Sequence, residues 1–274
     1  MTKKLLLILF LITSCGDDFS KQSKLGKLRV LAIKADNPEI NSAATVTLTP
    51  LISFVDGGDI TLNYSWQACP DPGIDVGSAA NCDSSPAGLK LSGAGTFNTN
   101  TLAATFYTGS ATDISVIIPV SAFNYLATLD SKIQFNGLDF IVILTYSDPN
   151  SGTSTSAFKT IKLSTKAVTS LNLNPTTGAI QFNGSTLVAF PPSEGKMTVA
   201  SLSSAESYDV QTNTGTLSIL ENMYISWFSS AGEFVYNRTN TTDQNTFRPS
   251  GTSGAFVIVF RDDRGGVSTQ LVSF

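Results

Sequence analysis

The sequence predicts an all-β chain of two tandem β-sandwich domains behind a removable leader and a short flexible tether. Three observations predict it. Thr, Val, Ile, Phe and Tyr gather in short runs separated by Gly, Asp, Asn and Pro, the texture of strands joined by turns. The chain is 42% apolar with 17 Phe and only 14% charged, more apolar side chain than a disordered polymer carries. One order of features also occurs twice: a β-rich opening, an alternating strand, a tryptophan-bearing strand and a closing hairpin.

The leader comes first. Lys3 and Lys4 open it, residues 5–12 are an unbroken apolar run, and Thr13-Ser14-Cys15 ends it with small residues and a thiol. A basic start, an apolar run of roughly 7–15 residues and a small-residue cleavage site form a secretory signal. The run is too short to cross about 30 Å of hydrocarbon as a helix, so residues 1–14 are expected to be removed. Ile12-Thr13-Ser14-Cys15 resembles the bacterial lipobox, with Ile12 where leucine is commoner. The resemblance implies a diacylglycerol on the Cys15 sulfur and an acylated new amino terminus. Each buried methylene contributes about 0.8 kcal/mol and a single acyl chain binds only marginally, so two or three chains on one cysteine anchor firmly. Residues 15–27, polar and without apolar period, suit a flexible tether.

Residues 28–165 form the first expected domain. Residues 28–35 are β-rich, and Asp36-Asn37-Pro38 ends them. Residues 44–53 alternate, which predicts Val46, Leu48 and Leu51 facing inward and a bulge or edge at Pro50. Ile60, Leu62, Tyr64 and Trp66 share one face of the next strand, which makes Trp66 a core residue. The Gly-, Pro- and Ser-rich stretch 69–95 reads as a long loop with at most one short strand. Strands follow at 101–107 and 114–119, a helical turn at 122–127, and a hairpin of 140–146 with 153–163 across Asp148-Pro-Asn-Ser-Gly152.

Residues 166–274 form the second, with the junction near Lys166. Residues 171–175 repeat the opening, 196–203 the alternating strand, and 224–228 the tryptophan strand, with Trp227 inward. Residues 256–260 and 267–274, joined at Asp262-Asp-Arg-Gly-Gly266, repeat the hairpin. A strand-borne tryptophan among about seven short strands is the pattern of immunoglobulin-like sandwiches, although the disulfide that joins their facing strands is missing. Residues 31–39, 65–69, 225–234 and 260–267 together resemble tandem β-sandwich lipoproteins of predatory and gliding Gram-negative bacteria, a group of no assigned activity. The resemblance implies architecture and an envelope location and transfers no functional residues.

Three cysteines are present. With Cys15 lipidated, Cys69 and Cys82 remain as an even pair in an exported chain, where a disulfide is favoured; free thiols are the alternative. Zinc is a poor rival, because it takes four Cys, His or carboxylate ligands and the chain has no His.

The same lack of His removes the Ser-His-Asp and Cys-His arrangements. No Gly-rich phosphate loop occurs; Ser92-Gly-Ala-Gly95 comes nearest and reads as a loop. Paired carboxylates for glycoside hydrolysis are available only in apparent turns, as Asp71 with Asp75 or Asp262 with Asp263, and Asp belongs in turns for its own backbone hydrogen bonds. Calcium could use Asp36, Asp148, Asp262 and Asp263 near strand ends, without any Asp-x-Asp-x-Asp-Gly loop. Loop aromatics Phe190, Tyr236 and Phe247 are the freest to meet a partner. No catalytic residue, metal or cofactor is therefore expected.

Loss of the two leader lysines leaves 15 basic against 21 acidic side chains, a formal −6, with no basic block for nucleic acid. The expected protein is a lipid-anchored envelope component, on the outer membrane in a Gram-negative cell. Its expected role is non-catalytic binding, adhesion or structure, toward an envelope or cell-surface protein or glycan. A hydrolase using loop carboxylates and an accessory subunit of an envelope assembly are the alternatives.

Overall fold

The computed structural model describes residues 23–54, 60–71, 80–99, 107–200 and 205–274. The leader, Cys15 and the tether through residue 22 lie outside the described residues, as do Asp75 and most of the strand expected at 101–107. Residues 23–25, expected as flexible tether, are instead packed, with Leu25 buried and its amide donating to the Ser229 carbonyl at 2.8 Å. The chain is all-β, built from several sheets, with two short α-helices and one 3-10 turn among the described residues.

The first half holds β1 (Arg29–Ala35), β2 (Glu39–Ile40), β3 (Ala44–Phe54), β4 (Thr61–Pro70), β5 (Leu91–Asn98), β6 (Tyr107–Ser110), β7 (Ile114–Ile118), β8 (Leu138–Ser147) and β9 (Ser154–Leu163). One sheet runs β1-β3-β6, with β7 also on β3; the other runs β2-β9-β8-β4-β5. The β2–β9 pair is parallel and the other pairs of these sheets are antiparallel. Val46, Leu48, Ile52, Leu62, Phe140, Val142, Leu144 and Ile161 are fully buried in one apolar core that draws on both sheets.

Period-two patterning explains most of this half, and its exceptions have physical causes. Pro50 sits where β3 changes partner, between the stretch on β7 that ends at Leu48 and the stretch on β6 that starts at Leu51. The irregularity falls on β1 between Val30 and Ala32, opposite Leu51 and Ile52, just beyond Pro50. Leu51 has the opposite parity to Val46 and Leu48; it belongs to a separate apolar cluster shared with the second half. Residues 92–95, expected as loop, lie inside β5. Gly93 and Gly95 stand opposite Trp66 and Tyr64, and a methyl on Gly93 would sit 2.5 Å from Trp66 Nε1. The glycines make a shelf for the two rings at the sheet edge. Trp66 is consequently half-buried rather than a core residue, because an edge strand covers it on one side only.

Helix α1 (Val120–Leu126) matches the expected helical turn. Helix α2 (Ser131–Asn136) was not legible; the Asp130 side chain caps it by accepting from the Lys132 amide at 2.8 Å.

The second half holds β10 (Ile180–Phe182), β11 (Ser185–Thr186), β12 (Gly195–Val199), β13 (Ser207–Thr212), β14 (Gly215–Leu220), β15 (Met223–Ser229), β16 (Gly232–Phe234), β17 (Arg238–Asn240), β18 (Asn245–Pro249), β19 (Ala255–Asp262) and β20 (Val267–Ser273). Sheets β11-β10-β12-β18-β16 and β17-β15-β19-β20 contribute to one aromatic core, while β13 and β14 form a separate hairpin. Trp227 is fully buried, as its parity predicts, and its indole N–H donates to Thr239 Oγ1 at 2.9 Å. Phe190 and Phe247, expected to be free loop aromatics, are core residues instead. Phe247 is on β18 with no exposure, and Phe190 stacks on Phe256 at 5.5 Å. Tyr236 remains exposed, at 59%. Residues 171–175 form no strand; their polar side chains stitch the halves together.

The halves meet over a third apolar cluster. Leu25, Leu31, Ala32 and Leu51 pack with Val257, Val259 and Val267. β19 is buried on both faces: Phe256, Ile258 and Phe260 enter the aromatic core, and Val257 and Val259 face the first half. A strand covered on both sides reads as a continuous apolar run, which Ala-Phe-Val-Ile-Val-Phe at 255–260 is.

Candidate functional site

Charged side chains concentrate at this junction. Glu39 is in the two-residue strand β2, whose parallel pairing with β9 points the chain toward the start of the second half. Its side chain is fully buried. Oε2 accepts from the Asn172 amide at 2.8 Å and from Arg264 Nη2 at 3.1 Å, and Lys166 Nζ lies 3.3 Å from Oε1. Lys166 and Arg264 keep only 6% side-chain exposure. Burial opposes ionisation of Glu39, but the Ser164 hydroxyl, the Asn172 amide and the Lys166 ammonium together hold its carboxyl below the ordinary value. Three charges leave water together here, and such a group holds only while each member is paired.

Arg264 is positioned by the turn between β19 and β20. Asp262 Oδ1 accepts from the Arg264 amide at 2.9 Å and the Gly266 amide at 2.6 Å, while Oδ2 accepts from Asn172 Nδ2 at 3.2 Å. The guanidinium then lies 4.6 Å from the Tyr208 ring centre, a cation–π distance. Lys166 lies 5.7 Å from Phe135 and 6.0 Å from Tyr208. Phe135, Lys166, Ser170, Glu206, Tyr208 and Arg264 line a cavity of about 460 Å³. Burial, backed by the Asp263 carboxylate, pushes the Tyr208 phenol above its ordinary range.

Further polar links cross the same junction. Asn174 Nδ2 donates to the Ala35 carbonyl at 2.7 Å, and Asn174 Oδ1 accepts from the Val267 amide at 2.8 Å. Arg261 Nη2 donates to the Leu31 carbonyl at 2.7 Å. Lys159 is buried, its ammonium donating to the Gly265 carbonyl. Burial lowers its pKa to about 8, although Asp262 acts in the opposite direction.

The other sequence-derived candidates are dispersed. Cys69 and Cys82 are bonded, with S–S 2.06 Å and Cα–Cα 5.8 Å; both pack on Ile141 on the outer face of β8. The bond clamps the chain after β4 onto that face. Beside it, Gln67, Asn81, Thr145, Ser156 and Phe158 border an open cavity of about 570 Å³. Asp36 accepts from the Asn37 and Thr47 amides, Asp148 from the Asn150 amide and Ser151 hydroxyl, and Asp263 from Asn222. Asp148 serves its own turn, as the turn reading anticipates, whereas Asp36 also binds β3 at Thr47 and Asp263 ties its turn to Asn222 ahead of β15. Asp71 lies at the end of β4, its amide donating to the Asp139 carbonyl. Among the described residues, no three His, Cys, Asp or Glu side chains group as a metal site.

Sequence reasoning missed the Glu39–Lys166–Arg264 cluster. The three residues lie far apart in the chain, each in a local setting that reads as a turn or strand end. A glutamate directly after the turn proline Pro38 and a lysine at the junction were the available signals.

No protein family matches the chain, and no curated protein matches it. Among solved structures it is similar to a transglutaminase from red sea bream at 10% identity and a TM-score of 0.29, over 91% of this chain and 31% of that one. It is also similar to dimeric latent PorU from Porphyromonas gingivalis, at 11% identity and 0.24, over 90% of this chain and 24% of that one. The sporulation control protein Spo0M from Bacillus subtilis aligns at 10% identity and 0.26, over 91% of each chain. The chain therefore spans under a third of the first two, and none of the three carries an argument about activity.

Proposed function

We propose that the mature protein is a lipid-anchored envelope component whose body is a non-catalytic binding or structural unit of two immunoglobulin-like sandwiches, residues 28–165 and 166–274. The observation that carries the reading is the use made of the buried charges. Glu39 pairs with Lys166 and Arg264, and Asp262 accepts from the Arg264 and Gly266 amides, all at the junction of the halves, so they act as a joint. The sheet orders support the immunoglobulin-like description. In each half the tryptophan strand lies beside the first strand of the closing hairpin, β4 beside β8 and β15 beside β19.

A joined pair of sandwiches transmits position rather than chemistry. Anchored through Cys15, it raises the effective concentration of its surfaces near the membrane, where weak contacts with an envelope or cell-surface protein or glycan gain from proximity. The test is fractionation of the native host expressing wild-type or Cys15→Ala protein. Wild-type protein is expected in the membrane fraction and the variant in the soluble exported fraction. Equal membrane association of both would refute the anchor.

A further inference from the structure

The β13–β14 hairpin carries an asymmetry that points to a partner. Its register pairs Ser207 with Leu220 through to Thr212 with Gly215, and the Glu221 amide donates to the Glu206 carbonyl. Hydrogen-bonded pairs alternate along an antiparallel ladder. The backbone groups of Gly215, Leu217 and Ile219 therefore face β13, and those of Thr216, Ser218 and Leu220 face away. On the β13 side α2 meets the outward edge at Gln211. Asn136 Oδ1 accepts from the Gln211 amide at 2.7 Å and Asn136 Nδ2 donates to the Gln211 carbonyl at 2.9 Å, so a side-chain amide stands in for a neighbouring strand. On the β14 side, among the described residues, no backbone partner meets Thr216, Ser218 or Leu220.

That open edge lacks the usual protections. Gly-Thr-Leu-Ser-Ile-Leu at 215–220 has no charge and no proline, whereas exposed edges are normally blunted by Lys, Pro or bulges. Leu217 is 55% and Leu220 62% exposed. A two-stranded ribbon is marginal in water, and a third strand with an apolar face stabilises it. Leu217 and Ile219 share the face of their partners Val210 and Tyr208. A strand added along β14 would extend that face, so its alternate residues should be apolar. Residues 205–222 carry Glu206, Asp209 and Glu221 and no base. Arg264 lies 3.8 Å from Glu206 and Glu221 is buried, so the exposed Asp209 is the charge that favours basic residues on the incoming strand.

We propose that β14 is a docking edge for an extended segment of another polypeptide, apolar at alternate positions and basic, which adds as a third strand. The inference deepens the binding role proposed above by naming its partner class, and it is tested without reference to the anchor. The mature protein in detergent is followed by amide hydrogen exchange with and without the synthetic peptide Lys-Val-Thr-Val-Thr-Val-Lys. The amides of Thr216, Ser218 and Leu220 are expected to exchange rapidly alone and to slow about tenfold or more with peptide. Ser218→Pro, which removes an outward N–H, and Leu217→Lys, which leaves the backbone intact, should both abolish the slowing. Slow exchange without peptide, or unchanged exchange with it while the hairpin stays folded, would overturn the proposal. So would slowing that follows protein concentration alone, which would assign the edge to a second copy of the chain.

Discussion

Arg264 Nη2 donates to Glu39 Oε2 at 3.1 Å across 225 positions of sequence, so the last turn of the chain is tied to its second strand. Both side chains are almost fully removed from water. Breaking one member leaves a buried unpaired charge, at about 3–5 kcal/mol. Arg264→Met should therefore lower unfolding stability by that amount in a denaturant titration. Replacing Glu39, Lys166 and Arg264 together by apolar residues of similar volume should cost far less. A loss under about 1 kcal/mol for the single variant would mean that water reaches the cluster.

Lys159 supplies a pH prediction. Burial holds its pKa near 8, below the ordinary value of 10.5 that the unfolded chain retains. Below pH 8 both states bind the proton and the folded state carries the full penalty. Between pH 8 and 10.5 only the unfolded state keeps it, so stability rises with pH through this group. Lys159→Met should stabilise by about 1–3 kcal/mol at pH 7, less the hydrogen bond to Gly265, and the advantage should shrink toward pH 10. Melting curves at pH 7 and pH 10 read this directly.

The Cys69–Cys82 bond closes a short loop onto the outer face of β8. Cys69→Ser with Cys82→Ser should lower stability by roughly 3 kcal/mol in the chain-entropy treatment, and reduction of the native protein should do the same. A denaturation midpoint insensitive to reductant would show that the loop is already held without the bond.

At Gly93 a β-carbon would press on the Trp66 ring at 2.5 Å. Gly93→Val should displace the indole and cost about 1–3 kcal/mol. Trp227 is fully buried and distant in the fold, so a red shift in fluorescence would report Trp66 alone. An unchanged spectrum would contradict the shelf arrangement.

These outcomes bear on what the sequence can and cannot disclose. The closing hairpins at 138–163 and 255–273 were legible because a β-rich apolar run and a turn bearing Asp and Gly agree at each. The disulfide was legible from an even cysteine pair in a chain expected to be exported. Trp66 was misplaced because parity identifies a face but not how far the sheet extends beyond it, which depended on β5 and its glycines. Phe247 was misplaced because a strand as short as β18 gives too few residues for a period to show, and Phe190 because it enters the core from a loop. The Glu39 cluster was hidden for another reason: it is assembled from three segments whose only common property is their position at the junction of the halves.

The most direct test of the account is the intact mass of the amino-terminal peptide of protein taken from its native membrane. The account predicts a chain that begins at Cys15 and carries a thioether-linked diacylglycerol, with an added acyl group where the host acylates the new amine. A chain beginning at Met1, or a mature chain whose Cys15 is an unmodified thiol, would contradict it.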